Sequence, residues 1–103
     1  MSISYAWEKS MLAVTGMARS TKNINGRIAD AYVYHLINIE PDRDLPEDLR
    51  LRLAEIREAL TRTPARGNEG TVQASAMAMS EEEASEIADK IVEFYDIVCA
   101  RSD

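Results

Sequence analysis

Apolar side chains return every three or four residues in four separate stretches of this chain, and nowhere do β-branched residues alternate with polar ones between turn signals. That period places them on one face of a helix, whereas a half-buried strand repeats every two residues. The pattern therefore predicts an all-α fold, an antiparallel helical bundle of four main helices that also accommodates a short fifth helix near 71–79. With 103 residues and 46% apolar composition, the chain fits a single domain, 1–103, around one small core.

The first helix is expected from about Tyr5 to Arg19, capped by Ser4, with Trp7, Met11, Val14 and Ala18 turned inward. The second, capped by Asn23, should run to about Ile39, because Pro41 disfavours helical geometry in the residue before it. Its inward stripe is Ile24, Ile28, Tyr32, His35, Leu36 and Ile39, yet Val33, Tyr34 and Ile37 fall on other sides. A helix that is apolar nearly all round needs cover on every side, so Val33, Tyr34 and Ile37 are the expected contact of a homodimer.

Asp44 and Glu47, with Pro46 in the first turn, predict the capped start of a third helix. Leu49, Leu53, Ile56 and Leu60 form its inward stripe, and Pro64 closes it. Its arginines find acids three or four residues away, Arg50 with Glu47, Arg52 with Asp48 and Arg62 with Glu58, which leaves Arg57 without an intrahelical partner. Residues 63–79 are the longest irregular stretch, with a turn signal at Gly67-Asn68-Glu69-Gly70. Ser80 and Glu83 then form a capping box that opens the last helix, Glu81 to about Ala100.

Charge is distributed unevenly. Residues 80 to 103 carry Glu81, Glu82, Glu83, Glu86, Asp89, Glu93, Asp96 and Asp103 against Lys90 and Arg101, which accounts for the whole net charge of −6. On the last helix Ala84, Ile87, Ala88, Ile91, Tyr95 and Val98 face inward, and Glu82, Glu86, Asp89, Glu93 and Asp96 lie almost opposite. A one-signed stripe steers encounter with an oppositely charged partner, so these five carboxylates are the expected docking strip for a protein with a basic surface. Direct nucleic-acid binding is disfavoured, since it depends on clustered cations that displace counterions from phosphates.

Chemistry finds little footing. One histidine and one cysteine exclude a zinc site of nitrogen and sulfur ligands within the chain, and no Gly-rich phosphate loop follows a strand. His35 is expected to be buried, neutral and hydrogen-bonded, and Cys99 to act as a small hydrophobe on or beside the inward face of the last helix. Arg27 and His35 are too far apart for the Arg-His spacing of HEPN-type RNases. Glu82-Glu83-x-x-Glu86 and Glu93-x-x-Asp96 resemble the carboxylate elements of the MazG-like all-α nucleotide pyrophosphohydrolases. That resemblance implies a magnesium-dependent nucleotide hydrolase; an enzyme of this class needs acids from at least two helices, and Asp30, Glu55 and Glu58 are the candidate contributors outside the last helix. In that family, however, the two elements converge from different helices, whereas here one continuous helix carries both, and carboxylates along a rod cannot enclose an octahedral ion.

The expectation is accordingly a non-enzymatic interaction module with no cofactor or metal, acting in defence as an antitoxin or inhibitor that covers a basic nucleic-acid-binding partner. A purely structural homodimer and the MazG-like hydrolase are the alternatives. The lone thiol suits the cytoplasm, the first residues lack the pattern of a signal peptide, and no apolar run is long enough to span a membrane.

Overall fold

The computed structural model describes residues 3–67 and 70–102, which are all-helical, with no strand among them. Six helices are present in this range: α1 Ile3–Arg19, α2 Ile24–Tyr34, α3 Pro41–Asp44, α4 Glu47–Ala59, α5 Thr71–Ala78 and α6 Glu81–Arg101. A single 3-10 turn, Leu36–Asn38, lies between α2 and α3. Asn68 and Glu69 of the expected turn signal, and Asp103 of the acidic segment, lie outside the described residues.

α1 begins at Ile3, so Ser4 lies inside the helix and does not cap it. Its buried face is Ala6, Ser10, Ala13 and Met17, rotated by one residue from the expected stripe. Small side chains at the centre let the helix backbone approach its neighbours closely, and the Ser10 hydroxyl, donating to the Ala6 carbonyl at 2.7 Å, leaves no unsatisfied group there. Trp7 and Val14 only flank this face, packed against the core while remaining half-buried.

α2 starts as expected, with the Asn23 side chain accepting the Gly26 N–H at 3.0 Å. It ends at Tyr34, five residues before Ile39, where His35 leaves helical geometry. The break brings both Leu36 and Ile39 into the core at 0% exposure. Pro41 then opens α3 at its first position, where a missing N–H has no intrahelical partner to lose.

Asp44 does not cap α4; Pro46 occupies that position with no side-chain cap. The Asp44 carboxylate instead turns back to accept the Glu40 N–H at 2.8 Å and pairs with the Arg43 guanidinium at 2.8 and 2.9 Å, fully shielded from solvent. Arg50 also departs from its expected partner, donating to the carbonyls of Pro41 and Leu45 and so fastening α3 to α4. α4 buries Leu49, Leu53 and Ile56 as its period requires and ends at Ala59, before Pro64, with Leu60 buried at its C-cap. Arg57 finds its partner on α2, where its Nε donates to the Tyr32 hydroxyl at 2.7 Å.

α5 falls within the expected 71–79 segment and is fastened to α2 by Asn25, whose Nδ2 donates to the Ala76 and Met79 carbonyls at 2.8 and 3.0 Å. α6 opens on the expected capping box, with the Ser80 hydroxyl accepting the Glu83 N–H and the Glu83 carboxylate accepting the Ser80 N–H. It packs against α1, α2 and α4 through Ala84, Ile87, Ile91, Phe94 and Val98. Phe94 is fully buried although the expected stripe omitted it, while Ala88 and Tyr95 sit at its half-buried edge.

Candidate protein-interaction surfaces

Glu82, Glu86, Asp89, Glu93 and Asp96 are all exposed along the side of α6 away from the core. Glu93 is drawn toward α4, where Arg52 reaches it at 2.6 Å in place of the expected Asp48. Two further bridges cross the same seam, Arg101 to Asp48 at 2.6 Å and Lys90 to Glu55 at 3.7 Å. The Arg101 guanidinium holds the Asp48 carboxyl below the ordinary carboxylate range. Exposed bridges of this kind contribute little stability, but they fix which edge of α6 is neutralised. Among the described residues, Glu82, Glu86, Asp89 and Asp96 have no ion-pair partner.

The carboxylates that a magnesium site would need are not brought together. Glu82, Glu83, Glu86, Glu93 and Asp96 lie on one helix, Asp30 pairs with Lys22 at 2.8 Å, and Glu58 pairs with Arg62 at 2.7 Å. Among the described residues, no three of the acids, histidine and cysteine converge to hold a metal ion.

A second surface surrounds the end of α2. Val33, Tyr34 and Ile37 are 42, 66 and 46% exposed, and they line a groove of about 690 Å³ with residues of α5 including Thr71 and Val72. α5 covers the neighbouring face of α2 and leaves these three side chains open. His35, one residue on, is half-buried against Gly16 and makes no side-chain hydrogen bond among the described residues, contrary to expectation. Burial, with Lys9 and Arg19 nearby, lowers its pKa from the ordinary 6.5.

A third surface escaped the sequence reading. Trp7 and Met11 of α1 are half-buried, α1 packs against α6, and Tyr95 of α6 lies near both Trp7 and Cys99. Burial and then Cys99 raise the Tyr95 pKa. Val92 is 45% exposed, and Cys99 is exposed rather than part of the core. The signal lies in the apolar period of α1, whose large residues Trp7 and Met11 flank a buried face made mainly of small ones.

No helix among the described residues is long and apolar enough to cross a membrane. The chain matches no family model, no curated protein and no solved structure.

Proposed function

We propose that this chain is a non-enzymatic protein-interaction module, an antiparallel bundle of its four long helices, that docks the acidic face of α6 onto a basic surface of a partner protein in the cytoplasm. Glu82, Glu86, Asp89, Glu93 and Asp96 form the docking strip, and two copies of the chain meet through Val33, Tyr34 and Ile37. Where the basic surface is the nucleic-acid site of a toxin or nuclease, occupying it makes the chain an antitoxin or inhibitor in defence. The observation that carries the reading is the imbalance on α6, where, among the described residues, only Glu93 of the five carboxylates has an ion-pair partner. Uncompensated charge on a rigid helix accelerates and orients encounter with the opposite sign.

The test is capture of partners from native cytoplasm by the chain and by a variant with Glu86, Asp89 and Glu93 changed to lysine. The variant should stay folded, because all three side chains are exposed, and should lose a partner whose binding to the native chain weakens with added salt. Equal capture by both proteins rules out the docking strip.

A further inference from the structure

The apolar band between α1 and α6 and the unpaired acids beside it belong to one surface. At about 100° per residue, Val92, Tyr95 and Cys99 occupy the flank of α6 nearest α1, and Asp89 and Asp96 follow next around the helix. On α1 the same arithmetic places Trp7 and Met11 toward α6 and Glu8 just beyond them. The packing of α1 against α6, with Trp7 set against the core between them, joins the two halves. Glu8, Asp89 and Asp96 are exposed and have no ion pair among the described residues.

Among the described residues the rim of this band therefore carries one sign. Lys90 and Arg101 sit on the opposite flank of α6, engaged with α4. Lys9 sits on the opposite flank of α1, over the Tyr5 ring at 5.2 Å. A second copy laid in the same seam would set carboxylates against carboxylates, a juxtaposition that costs affinity.

We infer that the seam around Trp7, Val92 and Tyr95 receives a basic amphipathic helix from a partner protein, with its apolar stripe on these side chains and its flanking lysines or arginines against Glu8 on one side and Asp89 and Asp96 on the other. The inference rests on the acidic-strip reading and adds to it an apolar footing and the class of segment bound. From Val92 to Cys99 is about two helical turns, which suits apolar anchors at i, i+3 or i+4, and i+7 with cations beside them.

Three synthetic peptides test it: a helical peptide with an apolar stripe flanked by lysines, a scramble of the same composition without the stripe, and the striped helix with glutamates in place of the lysines. Each is titrated against the intact chain while the emission of Trp7, the one tryptophan of the sequence, is followed alongside calorimetry. The striped basic peptide should bind at least about tenfold tighter than its scramble and shift Trp7 emission to the blue, and Val92→Glu should remove about that factor without affecting the scramble. If both basic peptides bind equally and Trp7 is unmoved, the seam is refuted while the acidic strip stands. If neither binds, both fall. Equal binding by the glutamate peptide overturns the charge argument, and salt-independent self-association that Val92→Glu abolishes assigns the seam to a second copy.

Discussion

Replacing Asp44 should reveal how much one shielded carboxylate contributes to joining α3 and α4. In Asp44→Ala the Glu40 N–H loses a charged acceptor at 2.8 Å, and hydrogen bonds to charged groups contribute about 1.5–3 kcal/mol. Arg43 loses a bidentate partner, but its side chain is 59% exposed and water replaces the carboxylate, so that loss adds at most about 1 kcal/mol. The expected destabilisation is therefore about 1.5–4 kcal/mol, read from urea unfolding followed by circular dichroism. Asp44→Asn keeps a neutral acceptor for the Glu40 N–H and should lose about half as much. The difference between the chain and the Asn variant must also depend on pH. Arg43, and after it the Glu40 N–H, hold the Asp44 carboxyl below its ordinary value of 3.8, so the folded state binds fewer protons than the unfolded chain. The carboxylate contribution is complete above 3.8 and is lost as pH falls through the folded value. A loss below about 0.5 kcal/mol in Asp44→Ala, or a gap between the chain and Asp44→Asn that persists unchanged in acid, refutes the account.

Three further substitutions probe the rest of the frame. Asn25→Ala removes both hydrogen bonds to the Ala76 and Met79 carbonyls and should cost about 2 kcal/mol, with hydrogen exchange accelerating first in α5; uniform exchange across α5 and α6 would contradict this. Tyr32→Phe leaves Arg57 without the hydroxyl at 2.7 Å and should cost about 1 kcal/mol in urea unfolding, whereas an unchanged midpoint would remove Arg57 from the set of core ties. His35, with its folded pKa below 6.5, contributes stability that is complete above 6.5 and declines as pH falls toward the folded value, and His35→Gln should flatten that slope. An imidazole that titrates by NMR at or above 6.5 contradicts it.

The strictly periodic large side chains of α4 and the caps at Asn23 and Ser80 were readable in the sequence; the caps expected at Ser4 and Asp44, close packing and competition between partners were not. The stripe of α4 was legible because Leu49, Leu53, Ile56 and Leu60 are large and strictly periodic, and the start of α6 because Ser80 and Glu83 satisfy each other locally. α1 was displaced by one residue because Ala6, Ser10 and Ala13 weigh little in an apolar pattern while deciding how closely the helix can approach. Asp44 had two uses, forward to α4 or back to Glu40, and Pro41 at the first position of α3 made the backward one available. Arg52 likewise had an acid on its own helix and another on α6, and only tertiary packing selects Glu93. Among the site residues, the outward direction of the α6 carboxylates followed from their spacing, whereas the exposure of Cys99 and the break at His35 depended on neighbouring helices.

The selection of Glu93 by Arg52 shapes what the acidic helix can recognise. Along its α4 edge α6 is laced by Arg52, Lys90 and Arg101 into bridges that leave alternating signs, a surface poorly suited to attract a basic partner. Along its α1 edge Asp89 and Asp96 have no ion pair among the described residues and lie beside exposed Val92 and half-buried Tyr95, with Glu8 across the seam. A stripe that looks uniform in sequence thus has two unlike edges in the folded chain. Charge reversal confined to Asp89 and Asp96 should therefore weaken a basic partner more than reversal of Glu93, whose loss mainly frees Arg52. Equal losses at the two edges, measured at one ionic strength, would mean that the partner reads total charge and not this edge.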